Sequence, residues 1–193
     1  VEKKDSGDIY IGAGTVFSHI TADPVIQECI PVLGEAVDQV GGPQIRNIGT
    51  IGGNICNGAV SADSVPTVFS YNALLKIANA GGGRTVPVRE FYLGPGCVDL
   101  HPGEVLTHVI IPRAEYEGYH GHYIKYSMRN AMDIATLSCS VVSRIDSAKN
   151  ILEDVRITFG VAAPIPYRCV ETEELLKGQK PGEELYQKLE DSI

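Results

Sequence analysis

A dense run of glycines and small polar residues constrains this chain more than any other feature. The run reads Arg46-Asn47-Ile48-Gly49-Thr50-Ile51-Gly52-Gly53-Asn54-Ile55-Cys56-Asn57-Gly58, and Ser61-Ala62-Asp63 follows closely. Because glycine has no Cβ, such a segment lets backbone N–H groups approach a phosphate. Thr50 and Asn54 add hydrogen-bond donors, and Asp63 can accept from a sugar hydroxyl or an adenine amine. The run therefore predicts a loop that binds a nucleotide cofactor.

Other interpretations of the glycine-rich run also have to be considered. Gly52-Gly53-Asn54 alone is equally typical of a tight turn with positive φ. The run matches neither familiar phosphate motif, since no GxGxxG lies between a strand and a helix and no lysine follows a glycine as in GxxxxGK(S/T). Rossmann and P-loop nucleotide sites are therefore disfavoured.

The longer stretch from Gly42 to Asp63 resembles the FAD-binding subunit of molybdenum-containing hydroxylases, most closely that of the bacterial xanthine dehydrogenases. Five further segments match the family in the same order along the chain. They are Ile11-Gly12-Ala13-Gly14-Thr15, Gly94-Pro95-Gly96, Glu104-Val105-Leu106, Ile124-Lys125-Tyr126 and Arg129-Asn130-Ala131-Met132-Asp133-Ile134-Ala135. The resemblance spans nearly the whole chain.

The fold class indicated by this resemblance is α+β. Residues 1–112 are predicted to be the family's second FAD-binding subdomain, of the vanillyl-alcohol-oxidase-like type, with a mixed or antiparallel sheet and helices. Residues 120–193 are predicted to be a smaller C-terminal flavoprotein domain with an antiparallel sheet and helices. The resemblance begins after the family's first pyrophosphate-binding loop. We therefore expect the N-terminal FAD-binding subdomain to be missing and the C-terminal domain to be truncated.

Hydrophobic periodicity places the individual elements. It predicts a strand at residues 9–12, a helix from 24 to 41 that Pro31 interrupts, and a short helix at 66–71. A hairpin is predicted around Gly81-Gly82-Gly83, followed by a strand at 103–112. Further strands are predicted near 122–127, 135–145 and 155–161, and a helical region at 171–189 that residues 177–182 divide into two pieces.

Composition excludes several functional classes. A formal charge of -8 and scattered basic residues argue against nucleic-acid binding. No apolar run approaches the roughly 20 residues that cross a bilayer, and the charged N-terminus does not resemble a secretory signal, so we expect a cytoplasmic protein without a membrane partner. The five cysteines are scattered without a CxxC pair, which predicts neither a disulfide framework nor a metal site.

By residue-for-residue matching, the resemblance implies eight cofactor-binding positions: Thr50, Gly52, Gly53, Asn54, Asn57, Asp63, Leu106 and Lys125. The first four are expected to hold the diphosphate of FAD, while the fifth replaces a residue that is often threonine in relatives. The acidic residue is expected to approach the ribityl or adenosine hydroxyls. From local sequence alone, it fits almost equally well as a helix N-cap before Pro66.

Three later positions have weaker local signals. Leu106 is expected to line the adenine or ring pocket, although an ordinary inward-facing strand residue would look the same. Lys125 is expected near the flavin, where an ammonium stabilises negative charge on the reduced ring; an exposed strand lysine is the common alternative. Asp133 is assigned to a gate at the nicotinamide entrance, with Arg129 as its ion-pair partner or as a phosphate ligand.

The resemblance implies an oxidoreductase subunit. Electrons would pass from iron–sulfur clusters through FAD to NAD during hydroxylation of a purine or other N-heterocycle on another subunit. The molybdenum cofactor and the 2Fe–2S clusters are expected only on partner subunits, and FAD binding is expected to need the missing N-terminal segment. Two alternatives stay open: a self-contained FAD oxidoreductase of the same two-lobe family, and a non-catalytic docking fragment that holds no FAD.

Overall fold

The strands form two antiparallel sheets and a two-stranded ribbon, which a computed structural model describes for residues 1–190. In chain order the strands are β1 (Glu2–Lys3), β2 (Ile9–Gly12), β3 (Leu74–Asn79), β4 (Gly82–Pro87), β5 (Tyr92–Gly94), β6 (Cys97–Val98), β7 (Val105–Ile111), β8 (His120–Tyr126), β9 (Leu137–Asp146), β10 (Ile151–Gly160) and β11 (Tyr167–Arg168). The predicted α+β class is confirmed.

The helices are short. They are α1 (Phe17–Ala22), α2 (Pro24–Cys29), α3 (Pro31–Asp38), α4 (Pro43–Arg46), α5 (Ile51–Cys56), α6 (Ser64–Ser70), α7 (Val88–Phe91), α8 (Val170–Leu176) and α9 (Glu183–Glu190), and a 3-10 helix covers Arg113–Glu115. None of those within residues 1–190 is both long and apolar enough to cross a membrane.

The first sheet has the strand order β1-β2-β7-β3-β4. Its central strand β7 is rich in β-branched residues, which suit a pleated and half-buried surface. Val109 and Ile111 of β7 are fully buried and pair with Ile11 and Ile9 of β2. The ribbon β5–β6 follows the β3–β4 hairpin, which forms at the predicted glycines.

The predicted helix over residues 24–41 is two helices. Proline lacks an N–H and its ring clashes with the preceding turn, so Pro31 begins a new helix instead of continuing the old one. Ile30, between α2 and α3, has an extended φ of -141°. Asp23 caps α2, because its Oδ1 accepts from the N–H of Val25 at 2.9 Å. α3 ends at Asp38, earlier than predicted.

The second sheet has the strand order β11-β10-β9-β8. The three long strands predicted here are confirmed, although β10 begins earlier than predicted, at Ile151. The two C-terminal helices, α8 and α9, are also confirmed, with the break between them at residues 177–182. Their side chains cover part of one face of the sheet, where Val155, Ile157, Leu176 and Leu185 form a separate apolar cluster.

Helix α6 packs against the second sheet on its opposite face, and all seven of its residues are buried. At its C-terminal end the carbonyl oxygens of Phe69 and Ser70 accept from Arg168 Nη1 at 3.4 Å and from Arg156 Nη1 at 3.1 Å. Cations favour the C-terminal end of a helix. Two arginines of the second sheet therefore hold a helix that belongs to the first part of the chain.

The hydrophobic core is continuous between the two sheets. One cluster includes Ile9 and Leu75 of the first sheet together with Tyr123 and Val142 of the second. The connecting residues also take part in the packing, since Tyr116 is buried and its hydroxyl donates to the carbonyl of Gly7 at 2.6 Å. The division into domains at 1–112 and 120–193 stays a prediction.

Val161, directly after β10, is the one β-branched residue with a positive φ among residues 1–190. Its φ is +70°, a value that β-branched residues rarely adopt. The left-handed region costs an L-residue about 1–2 kcal/mol, which glycine avoids. Part of this gain is offset, because glycine has more conformational freedom to lose from the unfolded state. We expect Val161→Gly to raise the free energy of unfolding by about 1 kcal/mol in urea titrations. Val161→Ala keeps the Cβ and should gain less; an unchanged or lower value for the glycine variant would contradict the strain.

Candidate functional site

The glycine-rich run is not a continuous loop, because helix α5 begins inside it. Thr50 caps the helix, and its Oγ1 accepts from the N–H of Gly53 at 3.1 Å. The N–H of Gly52 donates to the carbonyl oxygen of Ala13 at 2.9 Å. The predicted loop was therefore wrong here, since Thr50 acts as an N-cap and starts a helix. The N–H groups of Gly52 and Gly53 are already used in hydrogen bonds inside the chain.

Gly52 is required by close packing. A Cβ at this position would lie 2.5 Å from the Cβ of Ala13 and 2.7 Å from its carbonyl oxygen. Neither Gly52 nor Gly53 has a positive φ, so the tight-turn alternative is wrong for this pair. Gly52 is buried and lets α5 approach the turn after β2, whereas Gly53 is exposed.

Side chains supply the outward-facing donors at the start of α5. Thr50 Oγ1 accepts a hydrogen bond from the backbone. Its hydroxyl hydrogen can still donate to another group. Asn54 Oδ1 accepts from Ser64 Oγ at 2.7 Å, which fixes the amide and leaves its Nδ2 as a donor. The exposed Gly53 lies between them, and Asn57 is exposed at the C-terminal end of α5.

A buried ion pair joins the two parts of the chain. Asp63, directly before α6, accepts from Lys125 Nζ of β8 at 2.9 Å, and the two side chains are 7% and 6% exposed. The Tyr123 hydroxyl donates to the other carboxylate oxygen at 2.7 Å. Both alternatives from the sequence were wrong: Lys125 is not an exposed strand lysine, and the Asp63 side chain makes no capping bond.

Burial dominates the electrostatics of Asp63. Removal from water raises the pKa of its carboxyl, while the hydrogen bonds from Lys125 and Tyr123 act in the opposite direction. The same burial raises the pKa of the Tyr123 hydroxyl, which therefore stays protonated and donates. The two donors thus favour the charged form of the carboxylate against the effect of burial.

Lys125 forms part of the wall of a cavity of about 520 Å³. Its ammonium has three N–H donors. Asp63 and the carbonyl of Gln39 accept two of them, each at 2.9 Å. Within the described residues no further acceptor is present, so one donor is available to a molecule in the cavity. Residues 38–46 and 126–133 supply most of the remaining wall.

Asp133 lies on the same cavity and closes a turn. Its carboxylate accepts from the N–H groups of Arg129 and Ile134, at 2.9 and 3.0 Å, and pairs with the Arg129 guanidinium at 3.2 Å. The hydrogen bond from the Arg129 side chain is the main reason that the pKa of Asp133 is lowered. The structure thus confirms the expected pairing, whereas a role as a gate stays a prediction.

The structure places Leu106 in the hydrophobic core. It is 5% exposed on β7 and pairs with Ile77 of β3. This is the ordinary inward-facing strand position that the sequence also allowed, and its predicted role in the adenine or ring pocket stays a prediction.

The sequence analysis missed Tyr123 as a member of the site. Tyr123 and Lys125 are two residues apart on β8, and side chains with this spacing lie on the same face of a strand. Both are turned toward Asp63, while Ile124 and Tyr126 are exposed. The alternation along β8 could have identified Tyr123, but its partner lies 60 residues away in the sequence.

These residues fit a flavin dinucleotide. A diphosphate needs donors, which the Thr50 hydroxyl and the Asn54 amide supply at the exposed start of α5. A redox-active ring benefits from a nearby cation, which Lys125 supplies at the cavity wall. Asp63 directly precedes Ser64, the partner of Asn54, so the chain itself connects the two regions.

Comparison with known proteins identifies the family of this chain. Residues 1–114 match the FAD binding domain in molybdopterin dehydrogenase, and residues 122–193 match the CO dehydrogenase flavoprotein C-terminal domain. The chain therefore belongs to the family of FAD-binding subunits of molybdopterin dehydrogenases.

Two curated relatives and one solved structure illustrate the family. The xanthine dehydrogenase FAD-binding subunit of Escherichia coli O157:H7 is 41% identical over 170 residues, which cover 88% of this chain and 58% of the relative. The glyceraldehyde dehydrogenase medium chain of Sulfolobus acidocaldarius is 30% identical over 183 residues, which cover 95% and 63%. The solved carbon monoxide dehydrogenase from Hydrogenophaga pseudoflava is 30% identical, with a TM-score of 0.90 over 99% of this chain and 65% of that one. This chain thus spans less than two thirds of these relatives.

Proposed function

We propose that this chain is the flavin-carrying electron-transfer part of a multi-subunit molybdenum hydroxylase. FAD, when bound, accepts electrons and passes them on, and the protein supplies its binding, orientation and electrostatics. The observation that carries the proposal is the buried Asp63–Lys125 pair, which places an ammonium group with an unused donor at the wall of the cavity formed by residues 38–46 and 125–133. Lys125 would stabilise negative charge that develops on the reduced ring.

The electron donor and the oxidised substrate belong to partner subunits in this proposal. A molybdenum-cofactor subunit would oxidise a purine or another N-heterocycle, and an iron–sulfur subunit would relay the electrons. The names of the relatives support a substrate site outside this chain, because chains named for xanthine, glyceraldehyde and carbon monoxide dehydrogenases are all similar to it.

NAD is the proposed electron acceptor. Arg129 is 69% exposed at the side-chain level, while Asp133 is 16% exposed and fixed by the turn. An exposed arginine whose guanidinium pairs with a fixed carboxylate suits a residue that admits a nicotinamide to the cavity. Reduction of NAD by the assembled protein, compared with Arg129→Ala and Arg129→Lys variants, tests this role. Unchanged rates in both variants would exclude it.

The first test is to isolate the protein together with whatever accompanies it in the cell. Visible absorbance of a flavin and of iron–sulfur clusters, with FAD released on denaturation and two partner chains identified by mass spectrometry, is the expected result. Flavin in a single isolated chain that oxidises a substrate unaided would contradict the multi-subunit proposal.

Asn54→Asp tests the proposed diphosphate contact. The aspartate keeps an acceptor for Ser64 but replaces the amide donor by a negative charge. Hydrogen bonds to charged groups contribute about 1.5–3 kcal/mol, so the Kd for FAD should rise at least about 10-fold in the assembled protein. Asn150→Asp makes the same charge change in the β9–β10 hairpin and is expected to leave the Kd unchanged. Equal affinities for both variants would remove Asn54 from the site.

A further inference from the structure

A stripe of polar side chains runs along the buried face of α6. Asp63, Thr67 and Ser70 are spaced four and three residues apart, which places them on one face of the helix. Asp63 is 5% exposed, and Thr67 and Ser70 are 0% exposed. An ordinary core helix would present apolar residues at these positions. The polar character of this face therefore needs a physical explanation.

The second sheet presents a matching polar row to α6. Tyr123 of β8, Ser140 of β9 and Thr158 of β10 are direct cross-strand neighbours. All three are almost completely buried. We call the contact between this row and the polar face of α6 the polar seam.

Hydrogen bonds satisfy both ends of the polar seam. At one end the Tyr123 hydroxyl bonds to Asp63 at 2.7 Å. At the other end Ser70 Oγ lies 2.8 Å from Thr158 Oγ1 and 3.3 Å from the carbonyl oxygen of Ser140, to which it can donate.

The middle of the polar seam is different. Among residues 1–190, Thr67 Oγ1 and Ser140 Oγ are fully buried hydroxyl oxygens without a hydrogen-bond partner. Thr67 lies between Asp63 and Ser70 on the helix, and Ser140 lies between Tyr123 and Thr158 on the sheet. The two unpartnered hydroxyls are therefore at corresponding positions on the two facing surfaces.

We propose that the polar seam binds an ordered water molecule between Thr67 Oγ1 and Ser140 Oγ. A buried hydroxyl without a partner is costly, and buried waters typically satisfy such groups. The Thr67 and Ser140 side chains are small and polar, as a water site requires. The bound water gives both hydroxyls a partner in the middle of the polar seam, between the Ser70–Thr158 pair and the Asp63–Tyr123 pair.

Thr67→Val and Ser140→Ala test the water site by whether they raise or lower the Tm. If the hydroxyls have no partner, their removal relieves a penalty, and the Tm stays equal or rises. If a water bridges them, each substitution leaves that water with fewer partners. We expect each variant to lower the Tm by about 2–4 °C, and the double variant to be no less stable than the worse single variant, because both substitutions remove the same bridge.

Thr172→Val, the same substitution at a buried helical threonine outside the polar seam, is the control and should leave the Tm unchanged. A Tm that stays equal or rises in either single variant would overturn the proposal, and so would fully additive losses in the double variant. A high-resolution crystal structure gives an independent readout, in which density for a water between the two hydroxyls is expected and its absence would overturn the site. None of these measurements requires FAD, so the result does not depend on the proposed function.

Discussion

Lys125→Met is expected to lower the free energy of unfolding by about 3–5 kcal/mol, because it leaves the Asp63 carboxylate buried without its cation. Methionine keeps most of the side-chain volume, so the change removes the charge and little else. Urea unfolding followed by circular dichroism measures the loss. The double variant Asp63→Asn with Lys125→Met removes both charges and should recover a large part of it. A double variant as unstable as the single one would show that packing, and not the charge, is responsible.

The loss in Lys125→Met should depend on pH. A carboxyl whose folded-state pKa is raised contributes stability that is fully present below its unfolded pKa and is lost as the pH rises through the folded pKa. Burial already raises the pKa of Asp63, and the variant lacks the opposing hydrogen bond from Lys125. The difference in unfolding free energy between wild type and variant should therefore widen as the pH rises above the ordinary pKa of an aspartate. A constant difference would mean that Asp63 does not titrate in this range.

Gly52→Ala is expected to cost about 3 kcal/mol or more, since the added Cβ meets the backbone of Ala13, which cannot rotate away. Helix propensity alone predicts the opposite sign, because alanine favours a helix over glycine by about 1 kcal/mol. The measurement is the free energy of unfolding, and the yield of folded protein if the loss is too large to titrate.

Gly14→Ala is the matched control for Gly52→Ala. Gly14 belongs to the turn that Gly52 packs against, but a Cβ there would meet no atom within 4 Å. We expect a change close to zero for this variant. Similar losses in both variants would show that the turn as a whole, and not the approach of α5 at Gly52, is sensitive.

The elements of the fold were readable from the sequence because their signals are local. The β-branched run of β7 and the glycines of the β3–β4 hairpin predicted the first sheet, and Pro31 correctly marked an interruption in the helical pattern. The glycine-rich run predicted a loop where the structure has helix α5. Glycines are typical of loops, but Gly52 is required because α5 packs closely against Ala13, a residue far away in the sequence.

The resemblance put Asp63 and Lys125 in one predicted site, and the structure shows them paired, whereas their role toward FAD stays a prediction. Lys125 alone reads as an exposed strand lysine, and only the fold shows that Asp63 lies opposite it. Tyr123 and the carbonyl of Gln39 complete the site through contacts over long sequence separations, which no local pattern contains. The polar seam was not predicted either, because a lone Thr67 or Ser140 gives no signal until the register of the sheet aligns them.

The buried ion pair has a consequence for how the protein can be dissected. Asp63 comes from the segment before α6, whereas Lys125 comes from the first strand of the second sheet. Neither half of the chain contains both charges. A cut within residues 113–119, followed by dissociation of the two halves, would separate the Asp63 carboxylate from the Lys125 ammonium. The titration of the Asp63 carboxyl therefore differs between docked and separated sheets, because docking supplies both its burial and its Lys125 and Tyr123 donors.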